Sequence, residues 1–84
     1  MHIHENFYQD LSRVIRFHRR KSGLTQAALA KLAGVGKTVV FDVEHEKQTL
    51  QIDTLLKILK ALNISIQFNS PLMNLYREGM HAKS

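Results

Sequence analysis

The stretch Thr25–Lys47, TQAALAKLAGVGKTVVFDVEHEK, constrains this chain more than any other. It holds two short runs with helical apolar spacing, separated by Gly34-Val35-Gly36. Leu29, Ala33, Val35, Val40 and Val43 recur at intervals that put them on facing sides of two crossed helices. Ala30 falls where the two helices would cross, and its small side chain permits close approach. Gly34 stands where the first helix must end. A left-handed residue there costs glycine less than any residue with a β-carbon. Two helices joined by a short glycine-bearing turn make a helix-turn-helix unit.

With 84 residues the chain forms one small domain with a single core. The margin of buried surface at that size is narrow, which favours oligomerisation as a supplement. Cysteine is absent. That excludes disulfides and thiolate metal sites and fits a reducing compartment. No run approaches the roughly 18 apolar residues of a membrane helix. The opening MHIHENFYQD lacks the basic-then-apolar order of a secretory signal. The expected location is therefore the cytoplasm, with no membrane partner. The net charge of +5 is unevenly spread. Arg13, Arg16, Arg19, Arg20, Lys21, Lys31 and Lys37 lie between Leu11 and Phe41 with no acidic residue among them. Around a helix-turn-helix, such a block attracts phosphate backbones.

Catalytic chemistry finds no foothold. The five histidines are scattered, and no serine–histidine–acid set or carboxylate pair is suggested by spacing. His2 and His4 have no further ligands clustered near them, so no metal and no cofactor is expected. The segment GVGKT resembles part of a phosphate-binding loop. That loop needs a glycine five places before Gly36, where Lys31 stands, and a preceding strand, where a helical run stands.

Taken in order, residues 1–6 carry no pattern and are expected to form a flexible N-terminus. A helix is expected over about Phe7–Lys21, with Phe7, Leu11, Val14, Ile15 and His18 as its apolar stripe. Phe7 and Tyr8 are read as core or dimer contacts rather than base-stacking residues. Ser22-Gly23 ends that helix, and Thr25 caps the next. In the second helix of the motif, Val40 and Val43 face inward and Val39 partly so. The outward set is Gly36, Lys37, Thr38, Phe41 and Asp42. Lys37 can donate to guanine O6 and N7, and Thr38 can meet a base edge or a thymine methyl. Phe41 either touches thymine methyls or folds back onto the core. Asp42 is repelled by phosphate unless it accepts from cytosine N4.

After a loop at residues 48–51, a helix is expected over about Ile52–Leu62. Its expected face is Ile52, Leu55, Leu56, Leu59 and Leu62, with Ile58 beyond one stripe and Asn63 as a left-handed stop. Ile64-Ser-Ile-Gln-Phe68 then alternates apolar and polar, as a strand does. One strand alone leaves its backbone groups unpaired. The economical partner is a second copy, pairing antiparallel across a two-fold axis through Ile64, Ile66 and Phe68. Residues 7–69 thus form one DNA-binding and dimerisation domain. Residues 70–84 form a tail that is either disordered or a short helix over Leu72–Glu78, packed on the domain or on a partner.

Gln26, Ala30, Gly34, Val40 and Val43 occupy the first, fifth, ninth, fifteenth and eighteenth places of a known pattern. On those residues the stretch resembles the DNA-binding core of the Xre/Cro/phage-repressor family. The resemblance implies an all-α, lambda-repressor-like helix-turn-helix bundle of four to five helices, with the added C-terminal β-strand pairing across a homodimer. It implies that Gln26 grips a phosphate and that base contacts come from the start of the recognition helix. It also implies that Arg19 pairs with Glu44 and orients toward the DNA backbone, and that Lys47 contacts phosphate. Two places depart from the pattern. Gly36 replaces the usual Ser or Thr, and His45-Glu46-Lys47 replaces Asn-Gly-Lys or Arg-Gly-Lys.

The segment LLKILKALNISIQF is similar to the end of HipB-type antitoxins, and the likeness spans about Leu11–Phe68. Those proteins dimerise through a C-terminal strand and bind both operator DNA and a HipA-type kinase toxin. The expected function is a homodimeric, sequence-specific repressor that reads an inverted repeat. More narrowly, it is the antitoxin of a type II toxin–antitoxin operon that regulates its own promoter. Two alternatives stand beside it. One is a stand-alone Xre or phage-type repressor. The other is a toxin-neutralising interaction module without DNA binding, which Gly36, Asp42 and Glu46 favour.

Overall fold

The computed structural model describes residues 3–82, with side chains described from residue 7 to residue 80. Residues 1 and 2 of the expected flexible N-terminus, His2 among them, and the last two residues of the tail lie outside that range. Five helices follow one another: α1 (Ile3–Lys21), α2 (Gln26–Ala33), α3 (Lys37–Glu44), α4 (Ile52–Ala61) and α5 (Met73–Ala82). Helix α1 begins a full turn before the expected start at Phe7. Among the described residues there is no strand.

The first four helices end by the same device. Gly23, Gly34, Glu46 and Asn63 each take a positive φ, between 59° and 73°. In each case the next amide donates to a carbonyl five residues back: Leu24 to Arg19, Val35 to Ala30, Lys47 to Asp42 and Ile64 to Leu59, at 2.9–3.1 Å. These six-to-one bonds satisfy carbonyls that a helix end leaves unpaired. A β-carbon built on Gly34 would meet nothing within 4 Å, so the requirement for glycine there is conformational rather than steric. At the other end of α2, the Thr25 hydroxyl accepts from the Ala28 amide at 3.0 Å, as expected of a cap. Gly36 begins α3 with no side-chain cap.

The core draws on α1 to α4. Ile15, Leu29, Ala30, Val40, Val43, Leu55, Ile58, Leu59 and Leu62 are buried, and Leu11, Val35, Val39 and Ile64 pack partly against them. Two expected stripes are corrected. On α1, Phe7 and Val14 are 47% and 41% exposed, and the inward side is Ser12, Ile15 and Arg19 instead. Buried polar groups are tolerated when they are hydrogen-bonded. The Ser12 hydroxyl donates to the Gln9 carbonyl at 3.1 Å, and Arg19 is paired as described below. On α4, Ile52 is 69% exposed and Leu56 also faces out, while Ile58 is fully buried. Leu55, Ile58, Leu59 and Leu62 follow one helical face, Leu56 falls at its edge, and Ile52 is exposed at the first residue of the helix.

Residues 64–70 run on without secondary structure. Ile64 tucks against the core, whereas Ile66 and Phe68 are exposed in the single chain. Of the two readings of the tail, a helix is found. Arg77 of α5 donates to the Phe68 carbonyl at 3.3 Å, and Leu72, Leu75, Tyr76 and Met80 face solvent.

Glu46 holds a φ of 64°, where a glycine would be relaxed. Glu46→Gly is expected to stabilise the domain by about 0.5–1 kcal/mol. Relief of a left-handed penalty of roughly 1–2 kcal/mol outweighs the extra chain entropy of glycine. Urea unfolding measures this, and a lower midpoint in the variant would contradict it.

Candidate nucleic-acid interface

The interface is built outward from one buried carboxylate. Glu44, the last residue of α3, is 1% exposed. From α1, Arg19 Nε donates to its Oε2 at 2.6 Å and Nη2 to its Oε1 at 2.9 Å. From the start of α2, Gln26 Nε2 donates to the same Oε1 at 3.1 Å. Arg16 donates through Nη2 to the Glu44 backbone carbonyl and brings its Nε to 3.9 Å from Oε1. A cation on the last carbonyl of a helix suits the helix dipole. Glu44 thereby joins α1 to the two helices of the motif. Among the described residues, no buried side-chain nitrogen or oxygen lacks a partner.

Burial alone would push the Glu44 carboxyl up. The hydrogen bonds from Arg19 and Gln26, with the charges of Arg19 and Arg16, outweigh it, and the net shift is downward. The hydrogen bond to Glu44 raises Arg19 in turn, against the opposing effect of its own burial.

The expected Arg19–Glu44 pair is therefore present, and Arg19 lies largely beneath the surface. It is 9% exposed, and its third donor, Nη1, goes to the Leu24 carbonyl at 2.9 Å. A guanidinium so placed ties α1 to the end of α3 and to the turn before α2. Gln26 is partly exposed at the start of α2. Its amide nitrogen has two hydrogens, and Glu44 accepts one of them.

The remaining expected contacts separate into two groups. Gln26, Lys37, Thr38 and Phe41 line one open depression at the start of α3, beside the exposed Gly36. Phe41 does not fold into the core. Its ring is half exposed and stacks on His45 one turn later, with centroids 3.9 Å apart and planes 21° apart. His45 is held in place by Nδ1, which lies 2.7 Å from the Phe41 carbonyl. Asp42 and Lys47 belong to a second depression, toward the loop before α4, with Val39, Leu50 and Thr54. They pair with each other, Nζ to Oδ2 at 3.3 Å. An exposed pair of this kind is worth little, so Lys47 can exchange Asp42 for another anion.

Arg16 was legible only as one charge in a basic block. Its spacing of three from Arg19 puts both on adjoining sides of α1, which is the signal that would have marked it. Among the described residues, no group of three or more His, Asp or Glu side chains could hold a metal ion. No helix among them is long and apolar enough to cross a membrane.

The low Glu44 value gives stability a pH dependence. A depressed carboxyl contributes stability above its ordinary value near 4.5, and that contribution is lost as pH falls through the folded value. Stability is therefore expected to decline on acidification from about pH 5. Glu44→Gln is expected to lose about 3 kcal/mol at neutral pH, because Arg19 is left buried without its charge partner, and to flatten the acid limb. Unfolding midpoints from pH 7 downward measure both. An acid limb unchanged in the variant would remove Glu44 as its cause.

Comparison with known proteins agrees with this geometry. A helix-turn-helix family model, HTH_3, matches residues 15–69. The chain is 37% identical over 62 residues to an uncharacterised HTH-type transcriptional regulator, y4mF, of Sinorhizobium fredii, covering 74% of this chain and 82% of that protein. It is 32% identical over 56 residues to the control protein C.SmaI of Serratia marcescens, covering 67% of each. Its fold is similar to a chain in the solved structure of a HipA-HipB-O2-O3 complex. There the TM-score is 0.69 at 25% identity, over 76% of this chain and 90% of that one. A solved structure described as MDT protein matches equally well, with a TM-score of 0.69. The chain belongs to the helix-turn-helix family of DNA-binding transcriptional regulators.

Proposed function

We propose that this protein is a homodimeric, sequence-specific repressor, and more narrowly an antitoxin that represses its own operon and neutralises a HipA-like kinase. The observation that carries the DNA reading is the cluster of Gln26, Lys37, Thr38 and Phe41 on a surface that the Glu44 bonds hold rigid. In the proposed complex, the start of α3 enters the major groove. Lys37 reads guanine, and Thr38 meets a base edge or thymine methyl. The Phe41 ring, backed by His45, offers an apolar face to thymine methyls. Gln26 and Lys47 hold phosphates on either side.

Residues 7–69 form the working unit. Ile66 and Phe68, exposed in the single chain, are the surface through which a second copy pairs, together with Ile64. Two recognition helices would then meet half-sites about one helical turn, roughly 34 Å, apart. The likeness to a chain of a HipA-HipB-O2-O3 complex supports a HipA-like protein as a further partner. A stand-alone repressor is the second reading, and the two curated relatives, described as a regulator and a control protein, favour it. A neighbouring kinase-like reading frame separates the two.

A gel shift against the protein's own promoter region tests DNA binding first. Absence of a shift at micromolar protein would leave only an interaction module. Lys37→Ala is expected to cost about 1–3 kcal/mol on the matched operator and much less on mismatched ones, whereas Gln26→Ala weakens all duplexes alike. Titrations on matched and mismatched duplexes distinguish the two effects. A uniform loss for Lys37→Ala would remove its base-reading role. Affinity should also fall steeply with salt, as released counterions require. A flat salt response would reject the phosphate contacts.

A further inference from the structure

A second surface, on the outer side of α1, is not used by the proposed DNA contacts. Ile15 and Arg19 face the core. At 3.6 residues per turn, Phe17 stands about 160° around the helix from both, almost straight outward. It is 58% exposed, and Val14 beside it is also exposed. Arg13, Arg16, Phe17, Arg20 and Lys21 line an open groove with no acidic residue among them. Lys21 Nζ lies 5.8 Å from the Phe17 ring centroid. Arg16 is fastened to the Glu44 carbonyl, which fixes one wall. Asp10 lies outside the lining, toward the helix N-terminus.

We infer that this groove docks an acidic, amphipathic segment of a partner protein, with an apolar side chain on Phe17 and Val14 and carboxylates on Arg13 and Arg20. The chemistry selects this occupant. A duplex backbone offers phosphates and only small sugar faces, so it covers little of an exposed phenylalanine at the centre. A second copy would bring the same cations face to face across a two-fold axis. An acidic amphipathic helix matches both features. Arg13 and Arg20 are two turns apart, about 10 Å along the axis, so they suit carboxylates spaced by two helical turns. Arginine holds a carboxylate through two parallel hydrogen bonds. This inference does not rest on the repressor reading.

The test uses the full chain, labelled with nitrogen-15, and a synthetic helical peptide. The peptide carries two leucines one turn apart, flanked by glutamates two turns apart. The expected result is amide shifts confined to α1 between Arg13 and Lys21. Phe17→Ala is expected to lower peptide affinity about tenfold, as loss of a central aromatic anchor does. The double variant Arg13→Gln, Arg20→Gln should lower it similarly, and a scrambled or lysine-for-glutamate peptide should not bind. Phe17→Ala should bind promoter duplex as tightly as the unaltered protein. Equal binding of the scrambled peptide, or shifts on another surface, would overturn the inference. So would duplex DNA that moves the same α1 amides and is weakened by Phe17→Ala, since that result assigns the groove to nucleic acid.

Discussion

The Glu44 carboxylate is the point on which the arrangement depends. An isolated buried charge costs several kcal/mol, and it persists only when paired and hydrogen-bonded on every side. Here Arg19 and Gln26 supply three bonds to the carboxylate, and Arg16 adds one to the backbone carbonyl. The donors come from α1 and α2, and the acceptors sit at the end of α3. Their fixed lengths convert loose packing between short helices into a defined crossing angle. The tip of α3 is then presented to a ligand without further ordering, which is what makes preorganised recognition possible.

Helices α2 and α3 span eight residues each. Segments that short do not hold in water alone. Three things sustain them. One is the shared core around Leu29, Val40 and Ile58. Another is the Thr25 cap. The third is the left-handed stop that closes each helix and turns the chain sharply into the next. The same stop that ends α2 at Gly34 positions Gly36 and Lys37 at the exposed start of α3. The economy of the turn and the placement of the candidate base-reading residues are thus one feature.

The motif itself was legible because its signals are local. Gly34, Thr25 and Asn63 act through backbone conformation and caps, which neighbouring residues specify. The Arg19–Glu44 pair followed from the resemblance, but its depth did not, since burial depends on all three helices at once. Helix α1 misled for a physical reason. It carries two apolar ridges, Leu11–Ile15 and Phe7–Val14–Phe17, and periodicity alone cannot say which one turns inward. The side that does is partly polar, through Ser12 and Arg19. On α4, Ile52 was expected inside and Ile58 beyond the stripe, and their burial is the reverse. The Asp42–Lys47 pair was not foreseen, because it forms across the tight turn that ends α3. Ile64–Phe68 has the alternation of a strand, yet a strand needs a neighbour, and a single chain supplies none.

The most direct test of the central claim is a double-mutant cycle on Arg19→Met and Glu44→Gln, read by unfolding free energy. If Glu44 gathers the helices through Arg19, each single change is costly and the double change costs much less than their sum, with a coupling of at least about 1 kcal/mol. Additive losses, equal within about 0.5 kcal/mol, would show that the two residues act separately and that something other than this buried pair sets the tilt of α3.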